Sequence, residues 1–132
     1  MTPRFSEPLF VISVAARLVE MHPQTLRKYE REGLIAPSRT SGNLRLYSDR
    51  DIERLRQVKY LVEHRGLNLA GVQLALELTL QVQDLRTRIL NASDSRKQSP
   101  VVAELDALLE SLGFVDEQRV RESQRRDEPG TK

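Results

Sequence analysis

Gln24, Arg27, Lys28 and Arg31 stand three and four residues apart. On a helix, such positions share one face. An amide and three cations on one face suit one kind of chemistry, the reading of nucleic acid. In the major groove of B-DNA an arginine fork matches guanine and a glutamine amide matches adenine. Lysine or a second arginine can neutralise phosphate and hold register. Leu26 and Tyr29 fall on the other side, with Leu34 just beyond, so the same segment also has a face to pack by. The competing explanation is a solvated surface that does nothing but keep the protein in solution, and on an isolated helix that would be preferred.

The neighbourhood shifts the balance. From Gln24 to Ser48 the cations are Arg27, Lys28, Arg31, Arg39 and Arg45, against the acids Glu30 and Glu32. The local excess is three, whereas the whole chain of 132 residues carries only +2. The basicity is therefore concentrated where the stripe is. Pro37, Ser38, Thr40, Ser41, Gly42 and Asn43 are turn formers, and Leu44 to Tyr47 alternate at period two. This predicts a small β-hairpin with its tip near Ser41–Asn43, placing Arg39, Asn43 and Arg45 where a hairpin can follow a backbone or enter a minor groove. The hydroxyl of Tyr47 can serve phosphate, or the ring can pack. His22 stands at the head of the basic helix, as a DNA contact or as a plain turn residue.

The elements that must hold this surface follow from local signals. Ser13 is a candidate N-cap for a first helix whose apolar stripe is Val14, Ala15, Leu18 and Val19, and Pro23 ends it near Met21 by restricting His22. Pro23 suits the first turn of a second helix, to about Glu32, closed by Gly33. Two short helices so joined are the layout of a helix-turn-helix. Ser48 with Asp51 predicts a capping box for a third helix bearing Ile52, Leu55, Val58 and Val62, stopped by Gly66. Asn68 can cap a fourth. Beyond it Ala75, Leu78, Val82, Leu85 and Ile89 recur in steps of three and four, a coiled-coil type of seam lasting about two heptads. "NASDSRKQSP" loses the pattern and is expected to link. Val101, Val102, Leu105, Leu108, Leu109 and Leu112 share the broad face of a last amphipathic helix ended by Gly113, and a charged tail follows.

Composition narrows the function. Hydrophobic residues are 39% and charged residues 30%, which fits a helix-rich globular chain. There is no cysteine, hence no disulfide, cysteine–zinc site or thiol chemistry. No apolar run approaches the roughly 20 residues of a membrane span, and the N-terminus lacks a signal-peptide layout, so a cytoplasmic protein is expected, associated with the nucleoid through its DNA-binding surface. His22 and His64 are the only histidines and stand far apart. No Ser–His–Asp set, phosphate loop or metal-ligand cluster accompanies the acids, so neither catalysis, a metal nor a cofactor is expected.

The ordered pieces "TLRKYEREGL", a hairpin ending "RLYS" and "DIERLRQV" resemble the winged helix-turn-helix of MerR-type transcription regulators, over roughly residues 10–90. Within that family "FVISVAARLVEMHPQTLRKYE", "RTSG" and "GLNLAGVQLALELTLQV" are most similar to the HspR heat-shock repressors. The expected fold is mainly α: a winged helix-turn-helix of four helices and a small β-hairpin wing, then a dimerisation helix and a C-terminal tail. The expected divisions are an N-terminal arm (1–10), the DNA-binding domain (11–77), the dimerisation helix (78–92) and a linker, amphipathic helix and charged tail (93–132).

The resemblance implies roles at matching positions. Thr25, Arg27 and Lys28 stand where the recognition helix meets DNA, with Lys28 in place of the family's usual tyrosine. Arg45 and Tyr47 match the wing's arginine and tyrosine. Asn68 matches the residue that opens the fourth helix, whose N–H groups can bind phosphate. Glu20 replaces a frequent glycine, so a differently shaped first turn is expected. The helix containing Leu78 to Ile89 matches the family's antiparallel dimerisation helix, here short. The implied function is repression of chaperone and protease operons, by a homodimer on an inverted repeat of double-stranded DNA, with the chaperone DnaK as co-repressor. The Val101–Leu112 helix or the tail would then meet the chaperone, or that helix would pack on the protein's own dimer. A small-molecule-responsive MerR-type activator and an excisionase-like architectural protein are the alternatives.

Overall fold

A computed structural model describes residues 6–92 and 100–115. The elements in order are β1 (Pro8–Val11), α1 (Ile12–Val19), α2 (Pro23–Arg31), β2 (Ser38–Arg39), β3 (Arg45–Ser48), α3 (Asp49–Glu63), α4 (Leu69–Ala92) and α5 (Pro100–Ser111). The winged helix-turn-helix is present, with a three-stranded antiparallel sheet in the order β1-β3-β2. Residues 1–5 of the expected arm, residues 93–99 of the expected linker and the tail from residue 116 lie outside the described residues.

The rest of the expected arm is structured. Phe10 pairs with Tyr47 and Val11 with Leu46, so the wing is three strands rather than a hairpin alone. That pairing also moves the start of α1. Val11 is the N-cap, extended at φ −70° and ψ 163°, with no side-chain cap, and Ser13 lies inside the helix. The strand runs directly into the helix, and its partner β3 fixes the boundary that a serine was expected to fix. The buried face of α1 is Ala15, Ala16 and Val19, whereas Leu18 is 42% exposed. Small residues face inward because α1 packs closely against α2, α3 and the sheet.

The core gathers Leu26 and Tyr29 of α2, Leu34 and Ile35 beyond it, Tyr47 of β3, and Ile52, Leu55, Val58 and Leu61 of α3. Leu61 takes the last inward position on α3, where Val62 was expected, and Val62 is 37% exposed. The capping box of α3 is complete: Asp51 N–H donates to Ser48 Oγ at 3.1 Å, and Ser48 N–H donates to Asp51 Oδ2 at 2.9 Å. Gly66, at φ +66°, turns the chain out of α3. Asn68 then receives the N–H of Gly71 on Oδ1 at 2.9 Å, opening α4.

α4 runs unbroken for 24 residues. The expected division between a fourth helix and a separate dimerisation helix at residues 77 and 78 does not exist as a break, since nothing between Leu69 and Ala92 interrupts helical hydrogen bonding. α5 lies against α4, burying Val102, Leu105 and Leu109, while Val101 and Leu108 stay about half exposed. Arg86 Nε donates to Asp106 Oδ1 at 2.6 Å between the two helices. No described helix is long and apolar enough to cross a membrane.

Candidate nucleic-acid interface

The turn between α1 and α2 aims the basic helix, and its shape is enforced from behind. Glu20 adopts the left-handed conformation at φ 58° and ψ 50°. This is the backbone a glycine would supply, so the turn keeps the glycine-type shape despite the glutamate, contrary to expectation. Two α3 side chains reach the end of α1. Lys59 Nζ donates to the carbonyls of Val19 and Glu20 at 3.2 and 3.1 Å, and Arg56 Nη2 to that of Leu18 at 3.3 Å. Cations at a helix C-terminus satisfy carbonyls that have no partner within the helix.

α2 opens on His22, whose Nδ1 accepts the N–H of Gln24 at 3.0 Å, with Pro23 in the first turn. The histidine is thus an N-cap, and only its Nε2 edge is left for an outside partner. Leu26 and Tyr29 are buried. Gln24, Lys28 and Arg31 are exposed, and Thr25 and Arg27 are partly exposed. The stripe points outward as its spacing required. Arg27 Nη1 donates to Gln24 Oε1 at 2.7 Å, so the two candidate base readers are already oriented by each other.

The wing is organised by Thr40 and Asn43. Thr40 Oγ1 accepts the N–H groups of Gly42 and Leu44 at 3.2 and 3.1 Å, and Asn43 sits at φ 67° in the tip. Arg39 and Arg45 do not splay into solvent. Arg39 Nη2 donates to Glu30 Oε2 at 2.9 Å and Arg45 Nε donates to Glu30 Oε1 at 2.6 Å. Burial works against the charge on Glu30, but the hydrogen bonds from Arg45 and Arg39 outweigh it and hold the carboxyl below its ordinary value of 4.5. One carboxylate therefore joins the last turn of α2 to β2 and β3 of the wing. In the sequence Glu30 stands out only as a charge opposing the basic stripe; an acid on the helix flank with two arginines following it was the available signal. Arg54 is a second unforeseen support, its Nε donating to the Leu34 carbonyl at 2.6 Å behind α2.

Tyr47 is fully buried. Its hydroxyl meets no hydrogen-bond partner among the described residues, and burial pushes its pKa up. Of the two roles open to it, packing is the one seen, and the phosphate contact is withdrawn. The alternation of the strand puts Tyr47 inward, and its size fills the space between sheet and helices. No group of three or more potential metal ligands occurs among the described residues.

The MerR HTH family regulatory protein domain matches residues 10–79, from β1 into α4. The chain belongs to the MerR family. It is therefore a DNA-binding transcription regulator. It is 46% identical over 123 residues to a heat shock protein HspR of Streptomyces coelicolor, covering 91% of this chain and 73% of that one. It is 32% identical over 108 residues to the regulator YfmP of Bacillus subtilis, covering 80% and 77%. It is 40% identical over 73 residues to the regulator GlnR of Bacillus anthracis, covering 55% and 56%.

Within this MerR-family chain the expected dimerisation seam divides in two. Ala75 is buried in the chain's own core, and Val82 and Ile89 are partly covered. Leu78 and Leu85 remain 40% and 41% exposed, and Leu74, which the seam omitted, is 57% exposed. α5 takes up one flank of α4. The apolar stripe left open is consequently rotated toward Leu74, Leu78 and Leu85, at i, i+4 and i+11.

Proposed function

We infer that this regulator represses heat-shock genes encoding chaperones and proteases, as a homodimer on inverted-repeat operators, with DnaK as co-repressor. The observation that carries the DNA part is the outward Gln24–Arg27–Lys28–Arg31 stripe on the second helix of a MerR-family helix-turn-helix. The heat-shock and chaperone part rests on the likeness to HspR over nearly the whole chain.

In this mechanism α2 enters the major groove. Arg27 reads guanine with its free guanidinium edge, and Gln24, oriented by Arg27, offers its amide to adenine. Thr25 adds a hydroxyl at the same edge. Lys28 and Arg31 meet phosphates on either side, and the Nε2 edge of His22 faces the backbone. Arg39, Asn43 and Arg45 bring the wing to the flanking backbone while Glu30 keeps it in register. The N-terminus of α4 at Asn68 offers amides to another phosphate. Two copies join along Leu74, Leu78 and Leu85, with Val82 and Ile89 beside them, so that half-sites fall on one face of the duplex. Phosphate contacts of this number make affinity fall steeply with salt. Chaperone would favour the bound repressor, and unfolded protein would draw it away on heating. An excisionase-like role leaves the open stripe of α4 unused.

Recovery of bound DNA across the genome, before and after heating, tests this. Inverted repeats upstream of chaperone and protease genes that empty on heating are expected, along with tighter operator binding when purified DnaK is added. Recovery of unrelated or unsymmetrical sites that do not respond to heat would contradict it.

A further inference from the structure

The far end of α5 is locked to the DNA-reading body. Gln57 of α3 is 4% exposed, and its Nε2 donates both to the Leu112 carbonyl at 2.9 Å and to Thr79 Oγ1 of α4 at 2.8 Å. Thr79 donates onward to the Ala75 carbonyl at 2.8 Å. One buried amide group thus ties α3, α4 and the end of α5 together. Arg65 Nη1 donates to the Ser111 carbonyl at 3.0 Å. Gly113, at φ +81°, lies so close to Tyr60 that a Cβ there would stand 2.5 Å from the ring.

α4 by itself is weakly anchored. Its buried residues, Val72, Ala75, Leu76 and Thr79, all lie in its first half. Among the described residues, α5 is the element that runs beside its second half, through Val102, Leu105, Leu109 and the Arg86–Asp106 pair. A helix of this length spans about 36 Å, so a swing of about 10° at its base moves its end by roughly 6 Å. That exceeds one base-pair step of about 3.4 Å. A bare α4, turning on the Gly66–Asn68 connection, would leave the separation of two reading heads loose on the scale of the DNA ladder. α5 closes a triangle with α3 and α4 and removes that freedom.

We propose that α5 is a strut that fixes the angle of α4 against the DNA-reading body and thereby sets the spacing between half-sites that the dimer accepts. The joint of the strut is Gln57, Tyr60, Arg65 and Gly113, none of which belongs to the basic stripe or the wing. The proposal rests on the dimeric reading above.

The test uses the full chain and a series of duplexes carrying the inverted half-sites with spacers changed one base pair at a time, plus a single half-site duplex. The wild type has one sharply preferred spacer, with its neighbours weaker by about tenfold. Gly113→Ala forces the strut off Tyr60, and Gln57→Leu breaks the same joint from the α3 side. Both flatten the spacer profile to within about threefold while the single half-site affinity stays at the wild-type value. Thermal melting of both variants shows that the body remains folded. A spacer profile as sharp as wild type in both variants overturns the strut. So does loss of half-site affinity in a folded variant, because α5 would then brace the reading head itself. If the wild type binds single and paired half-sites equally and ignores the spacer, it is the dimeric reading that falls.

Discussion

Arg45 donates from Nε to Glu30 Oε1 at 2.6 Å, and the two residues are 15 positions apart in the chain. With Arg39 on the other oxygen of Glu30, the wing and α2 become one unit. The side chains of Glu30 and Arg45 are 22% and 25% exposed, so water screens the pair less than a surface pair. Charge-assisted hydrogen bonds in such a setting give direction as well as attraction.

Glu30→Gln keeps the shape and removes the charge. Stability falls by about 1–2 kcal/mol, measured by thermal or chemical unfolding. The freed arginines raise affinity for scrambled duplex through phosphate attraction, while the ratio of cognate to scrambled binding falls. Band shifts on both duplexes measure the ratio. An unchanged ratio would mean that the wing finds its register without the clamp.

The clamp also sets an acid limit. Because Glu30 is held below its ordinary value of 4.5 in the fold, its contribution is complete above that value and is lost as pH falls through the lower, folded value. The wild-type melting temperature therefore drops more steeply than that of Glu30→Gln once pH passes below the ordinary carboxylate range. Parallel curves would assign the acid sensitivity to other groups.

Tyr47→Phe removes a buried hydroxyl that meets no partner among the described residues. Leaving such a group unpaired costs about 1–3 kcal/mol, so the variant is expected to be at least as stable as the wild type. Operator affinity is expected to stay the same. A marked loss of affinity in the phenylalanine variant would restore the phosphate role that its place in the wing suggested.

Glu20→Gly relieves a left-handed backbone at φ 58°. A side chain there costs roughly 1–2 kcal/mol, part of which glycine returns as extra freedom in the unfolded chain. A gain of about 0.5–1 kcal/mol is expected, with DNA binding retained because Lys59 and Arg56 still hold the turn. Destabilisation would show that the glutamate side chain makes a contribution its exposure conceals.

Local chemistry was legible in the sequence. Pro23, the Ser48–Asp51 capping box, Gly66, Asn68 and Gly113 each act through neighbours a few residues away, and each lies where its type predicts. The outward face of α2 was legible for the same reason, since helical spacing alone separates Gln24, Arg27, Lys28 and Arg31 from Leu26 and Tyr29. What escaped depends on distant partners. "PLFV" becomes a strand only because β3 lies beside it. Leu18 gives its inward place to Ala16 because packing wants a small residue there. Glu30 finds two arginines and Gln57 finds Leu112 across long stretches of chain, and α5 alters which leucines of α4 remain open.

Sequence recognition by this regulator depends on the α2 stripe reading bases from the major groove. The most direct measurement compares wild type and Arg27→Ala on the cognate inverted repeat, by binding titration and footprint. A loss of about 1–3 kcal/mol is expected, with relaxed preference at one guanine position in each half-site. Equal affinity and an identical footprint would contradict it.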